Sequence, residues 1–115
     1  MSWWVYLVDQ TGEPVKVARH SEGGTHTVGG TDQAELNVTY NYSGLLHQAF
    51  GMSFREALNG KKASEVLPQL RALSEAFPDA PEDDYWVATP GNVGHMLAIL
   101  RSWAQQYPEG VFEIS

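Results

Sequence analysis

One stretch constrains this chain more than any other: Glu35-Leu36-Asn37-Val38-Thr39-Tyr40-Asn41-Tyr42-Ser43. Leu36, Val38, Tyr40 and Tyr42 alternate strictly with Glu35, Asn37, Thr39, Asn41 and Ser43. A period of two is the pattern of a strand with one buried face, so a strand is predicted over 35–41. After Glu35 the polar side is uncharged and made of hydrogen-bonding groups. A strand that needs only solubility more often carries Lys or Glu there.

The segment Trp3 to Asp9 is aromatic and β-branched, which also reads as a strand. Trp3, Val5 and Leu7 share one face, Trp4, Tyr6 and Val8 the other. With both faces apolar, this strand is expected to be central and covered on both sides. Gln10-Thr11-Gly12-Glu13 is turn chemistry, and Pro14 suits a strand start. Val15 to Arg19 is then expected to return as the second strand of a hairpin. Gly23-Gly24-Thr25 and Gly29-Gly30-Thr31 mark a loop, with room for a short strand at His26 to Val28. The loop lacks the Gly-Lys-Ser/Thr ending of a phosphate-binding loop.

Helices follow. Ser43 is placed to cap a short one, Gly44 to Phe50, ended by Gly51. Ser53-Phe54-Arg55-Glu56 matches a capping box, and Asn59-Gly60 closes that turn. Val66, Leu67, Leu70, Leu73 and Phe77 share a face at helical spacing, predicting a helix over about 64–77. Pro68 lies near enough to its start to be tolerated. Pro78 to Asp84 reads as a stiff acidic loop, and Tyr85 to Ala88 as a short extended piece. Thr89-Pro90 is the clearest helix start, a cap oxygen followed by proline at the first position. Val93, Met96, Leu97, Leu100, Ala104 and Tyr107 form the apolar stripe of that helix, about 90–106. Pro108-Glu109-Gly110 stops it, and 111–114 reads as a last strand.

Strands gather early and helices late, which favours an α+β fold over a doubly wound one. The expectation is one two-layer domain over 1–115. Its mainly antiparallel sheet holds the N-terminal hairpin, strand 35–41 and strand 111–114, packed by the two longer helices. At 115 residues and 43% hydrophobic content the chain can bury a real core.

Composition removes several function classes. There is no cysteine, hence no thiol nucleophile and no zinc ribbon. The net charge of −7 argues against binding a nucleic-acid backbone. No apolar run reaches the roughly 18 residues of a membrane span, and the start lacks a basic leader region. A cytoplasmic protein is expected, and the sequons at Asn37 and Asn41 are read as coincidence.

Three constellations carry chemistry. The first is Asn37, Thr39, Asn41 and Ser43, whose amide and hydroxyl groups can read a ligand edge, beside Tyr40 and Tyr42, which could stack on a planar group. The same residues would serve equally as an exposed strand face with core tyrosines. The second is the helix start Thr89 to His95, where free N–H groups favour anions and Gly91 and Gly94 leave room for a ligand. It also reads as a capped helix with close-packed glycines. The third is His47 and His95, which could converge as a general base or metal ligands with Asp83 or Asp84. Ordinary surface histidines fit the pattern as well. No Ser lies in a Gly-x-Ser-x-Gly elbow, so a Ser/His/Asp triad has no local signature.

At Thr39-Tyr40-Asn41-Tyr42-Ser43 and Tyr85-Trp86-x-x-Thr89-Pro90-Gly91-Asn92 the chain resembles a family of short uncharacterised proteins. These are encoded by bacteriophages, prophages and some bacterial, especially actinobacterial, genomes. The likeness runs from about Thr31 to the C-terminus and carries no known activity. It implies a phage-linked context, the host cytoplasm, and a binder of host proteins or signalling nucleotides rather than an enzyme.

The leading expectation is a non-enzymatic module for a small polar ligand, nucleotides included, with no cofactor or metal. Asn37, Thr39, Tyr40, Asn41, Tyr42, His47, Thr89, Asn92 and His95 would line its site. The alternatives are an acidic inhibitor or nucleic-acid mimic acting on a host protein through 79–84, and a small His-dependent hydrolase. The two apolar faces of the first strand leave a homodimer open.

Overall fold

A strand has two edges, and this determines how the first half of the chain is arranged. In the structure, a computed structural model describing residues 1–23 and 30–115, β1 (Ser2–Val8) is the central strand of a three-stranded sheet. One edge pairs antiparallel with β4 (Glu35–Thr39), setting Trp3 opposite Val38 and Val5 opposite Leu36. The other pairs antiparallel with β5 (Val111–Ile114), setting Leu7 opposite Phe112. Both edges are therefore occupied, and the expected N-terminal hairpin does not form as a paired sheet.

The turn itself is present. Asp9 Oδ1 accepts from the Thr11 N–H at 2.9 Å and from the Thr11 hydroxyl at 2.6 Å. Val15 N–H still reaches the Leu7 carbonyl, but Ala34 then takes over, accepting from Leu7 N–H and donating to the Val15 carbonyl. The returning strand β2 (Lys16–His20) leaves the sheet and pairs instead with β3 (Thr31–Gln33) as a separate ribbon. The expected strand at His26 to Val28, and His26 itself, lie outside the described residues.

β1 is fully covered on one side and only partly on the other, where Val8 is buried but Trp4 is not. Val5, Leu7, Leu36, Val38, Phe112 and Ile114 are buried on the inner face. On the outer face Trp4 and Tyr6 stack at 6.4 Å, and Trp4 remains 37% exposed. Direct pairing puts Asn37 opposite Trp4 and Glu35 opposite Tyr6 on this partly solvated face.

The alternation that predicts strand 35–41 holds only to Thr39. Tyr40–Tyr42 is a single 3-10 turn, capped by Thr39, whose hydroxyl accepts from Asn41 N–H at 3.1 Å. The turn rotates Tyr40 out to 40% exposure while Tyr42 stays buried. The helix α1 (Ser43–Phe50) follows directly, so Ser43 is not its cap; the Ser43 hydroxyl donates back to the Tyr40 carbonyl. Gly51 ends α1 at φ 71°, the left-handed conformation that glycine adopts freely.

In α2 (Phe54–Leu58) the capping box is made: Ser53 Oγ accepts from Glu56 N–H and donates to the Glu56 carboxylate at 2.8 Å. Helix α3 (Ala63–Leu73) stops four residues before the expected end at Phe77. There the Ser74 hydroxyl and N–H both turn back to the Arg71 carbonyl, competing with the next helical bond. Helix α4 (Pro90–Gln106) starts where expected, with the Thr89 hydroxyl accepting from Asn92 N–H at 3.1 Å. Residues 85–87 form a turn, not an extended piece, with Val87 N–H on the Asp84 carbonyl.

All four helices contribute to one buried cluster with the inner sheet face, including Leu46, Phe54, Leu58, Leu70, Leu97, Leu100 and Trp103. The fold is α+β, with antiparallel strands and helices sharing that core. Among the described residues no helix is long and apolar enough to cross a membrane.

Candidate functional site

The outer edge of β4 faces the turn that precedes α4. An open edge needs partners for its N–H and C=O groups. Asn37 N–H donates to the Glu22 carbonyl at 2.8 Å. The Tyr85 hydroxyl serves two more groups, donating to the Asn37 carbonyl at 2.6 Å and accepting from Thr39 N–H at 3.2 Å. One phenol thus stands in for a strand partner. Its own backbone carbonyl accepts a very short hydrogen bond from Tyr42. Burial pushes the Tyr42 phenol well above its ordinary range, so it stays a donor.

The start of α4 is closed by the chain itself. Asn92 is 5% exposed, and its side chain holds the loop before the helix in three places. Its Oδ1 accepts from Glu82 N–H at 2.7 Å, and its Nδ2 donates to the carbonyls of Val87 at 2.7 Å and Asp84 at 3.0 Å. A Cβ on Gly91 would lie 2.0 Å from the Ala80 carbonyl oxygen, and one on Gly94 would lie 2.1 Å from that of Pro78. The room these glycines make is filled by the backbone of 77–80, not left for a ligand. The acidic segment is likewise folded onto the helix, with Asp84 Oδ1 accepting from Trp86 N–H.

Between β4, the turn at Tyr85 and α4 lies a recess of about 150 Å³. Asn37 and Tyr42 from the first stretch and Asn92 and His95 from the second all line it. The walls are mostly apolar: Leu36, Met96, Ile99, Pro81 and the tyrosine rings. Ser21 and Gly23 complete the rim.

No family model, curated protein or solved structure matches this chain.

The other candidates lie elsewhere. Thr39 is 1% exposed and works as a cap and a ladder donor. Tyr40 packs edge-on against Trp3 at 4.6 Å. Asn41 Nδ2 donates to the Trp86 carbonyl at 3.0 Å, tying the 3-10 turn to the turn before α4. Thr89 is the α4 cap. His47 is exposed on α1 and does not line the recess. Asn37 also donates to the Ser2 hydroxyl at 2.8 Å. Most of the hydrogen-bonding capacity read from the sequence thus serves the fold.

His95 differs. It is half-buried, and its partner is neither Asp83 nor Asp84: Nδ1 lies 2.8 Å from Asp79 Oδ1. Its Nε2 faces the Ser21 hydroxyl at 3.5 Å. Among the described residues no three His, Asp or Glu side chains gather to hold a metal. Ser21, Asp79 and Tyr85 have no motif of their own and are brought in by the fold. The nearest signal for Tyr85 was its place in the Tyr85-Trp86-x-x-Thr89-Pro90 pattern.

Proposed function

We propose that this protein binds a small molecule through the recess between β4 and α4, taking up a ring-sized group with a polar substituent directed at His95 and Ser21. The carrying observation is the recess itself, about 150 Å³ with mainly apolar walls and a polar rim. A cavity of about that volume in another protein accommodates benzene, so the fit is to one ring and not to a whole nucleotide. A heteroaromatic base is within this size, while its sugar and phosphates would stay outside. There they would meet Asp79 and the acidic residues Glu82 to Asp84, which repel phosphate. The phage-type likeness of the two motifs that frame the recess accords with a binding role. An acidic decoy is less well supported, because Asp79 and Asp84 hold contacts within the chain.

The test is calorimetric titration with a panel of single-ring compounds, free nucleobases and benzoate among them. Binding to the wild type is expected, weakened at least tenfold, about 1.4 kcal/mol, by Ile99→Trp, which fills the recess. A bound compound at 100 times its Kd should stabilise the fold by about 2.7 kcal/mol. Equal binding to the Ile99→Trp protein, or none across the panel, would sink the proposal.

A further inference from the structure

At the rim of the recess three side chains from separate parts of the chain stand in line. Ser21 follows β2, Asp79 lies in the loop after α3, and His95 is in the second turn of α4. The Asp79 carboxylate can only accept, so at 2.8 Å it holds the imidazole proton on Nδ1. That leaves the Nε2 lone pair directed at the Ser21 hydroxyl, 3.5 Å away. Nucleophile, base and orienting carboxylate in this relation are what hydroxyl activation requires, and the nucleophile–base distance is often loose before substrate binds.

Two close backbone approaches hold the flanks of this line. Gly94 lets the Pro78 carbonyl press against α4, and that contact fixes the residue next to Asp79 one position from His95. Gly23, at φ +83°, lies where a Cβ would be 2.2 Å from the Asn37 carbonyl oxygen, and Glu22 is bonded to the same residue. The segment carrying Ser21 is thereby pinned to the edge of β4. Ser21 is exposed, so solvent and substrate both reach it.

We infer that Ser21, His95 and Asp79 form a hydrolytic relay that cleaves small carboxylic esters whose acyl group enters the recess. The choice of acyl group rests on the binding role proposed above; the relay does not. Ser21 Oγ attacks the ester carbonyl carbon as its proton passes to His95 Nε2. The bond to the alcohol oxygen breaks, and the leaving alcohol takes that proton. Water then attacks the acyl–Ser21 ester and gives a proton to Nε2. The Oγ–carbonyl bond breaks, the proton returns to Ser21, and a carboxylic acid departs. The sum is ester plus water to acid plus alcohol. Asp79 is a positioning residue that keeps the His95 tautomer and orientation.

The experiment combines a fluorophosphonate probe, with the labelled residue located by mass spectrometry, and turnover of p-nitrophenyl acetate and benzoate. Wild-type protein is expected to be labelled on Ser21 and to turn over both esters. Ser21→Ala should abolish labelling and turnover while the circular dichroism spectrum is kept. His95→Ala should lower kcat by about 10²–10⁴-fold, the usual contribution of a general base. Asp79→Asn should lower kcat with KM held, because it disturbs the base and not ester binding. Ile99→Trp should reduce benzoate turnover more than acetate turnover.

An unlabelled wild-type Ser21, or turnover that survives Ser21→Ala, overturns the relay. If single rings still bind in that case, the recess reading stands alone. Labelling and acetate turnover with no ring binding and no discrimination at Ile99→Trp would keep the relay and overturn the acyl assignment.

Discussion

Asn92 shows how a residue type that reads as ligand recognition can instead be a clamp. Its amide satisfies one N–H and two carbonyls of the 82–87 segment while almost wholly buried. Asn92→Ala takes the acceptor from Glu82 N–H and one of two donors from each carbonyl, since Thr89 N–H stays on Val87 and Val87 N–H on Asp84. A buried orphan costs about 1–3 kcal/mol. A loss of about 1–3 kcal/mol in urea unfolding is expected. A change under about 0.5 kcal/mol would show that water replaces the amide at no penalty. Glu35 offers a pH-dependent test. Burial lifts its carboxyl above the ordinary value, and the adjacent Glu22 carboxyl adds to the lift. A carboxyl raised in the folded state destabilises the fold where it is ionised. The penalty is absent well below the unfolded value of 4.5 and accrues as pH rises through the interval up to the folded value. Glu35→Gln should therefore raise the melting temperature at pH 7 and leave it unchanged well below pH 4.5. An equal gain at both pH values would contradict a penalty for ionising Glu35.

The helices divide between ends determined locally and ends determined by packing. The caps of α2 and α4 are local, each a hydroxyl on an N–H three residues on. Thr89→Ala should cost about 1 kcal/mol. The glycines of α4 are a matter of packing. In an open helix position glycine to alanine gains about 0.5–1 kcal/mol through backbone entropy. Gly44 in α1 has nothing within 4 Å of a built Cβ, so Gly44→Ala should stabilise by that amount. Gly94 sits against the Phe77 and Pro78 carbonyls, where a Cβ forces backbone apart. There the same change should destabilise by about 1–3 kcal/mol, the usual range for overpacking. Melting temperatures of the two variants should move in opposite directions. A shift of the same sign in both would mean that the 77–80 loop yields freely.

For the molecule as a whole, charge and sheet edges matter most. Fourteen acidic residues face seven Lys and Arg, and among the described residues Lys16 pairs with Asp32 and Lys62 with Glu109. Self-repulsion among the acids should be screened by salt, with a Debye length of about 10 Å at 0.1 M. The melting temperature should rise between low salt and about 0.15 M NaCl; a fall would mean that the ion pairs outweigh the repulsion. Both sheet edges are occupied from within the chain. The edge of β4 takes Glu22 and Tyr85, and that of β5 takes the Gly60 N–H, the Lys61 carbonyl and the Asn59 side chain.

The sequence by itself determined the α+β class, α2, the start of α4, the end of α1 at Gly51 and the last strand. Each rests on a signal contained within a turn or a run of alternating residues: a cap oxygen, a proline, a positive-φ glycine, a period of two or 3.6. Only the tertiary structure decided that β2 would leave β1. That outcome depends on which strands occupy the two edges of β1, and β5 comes from the far end of the chain. It also decided that Asn92 would bind its own loop and that Gly94 would receive a backbone. Above all, it aligned Ser21, His95 and Asp79 across separations of 74 and 16 residues. Pairings of that length follow from how the core closes and leave no mark in any short window of sequence.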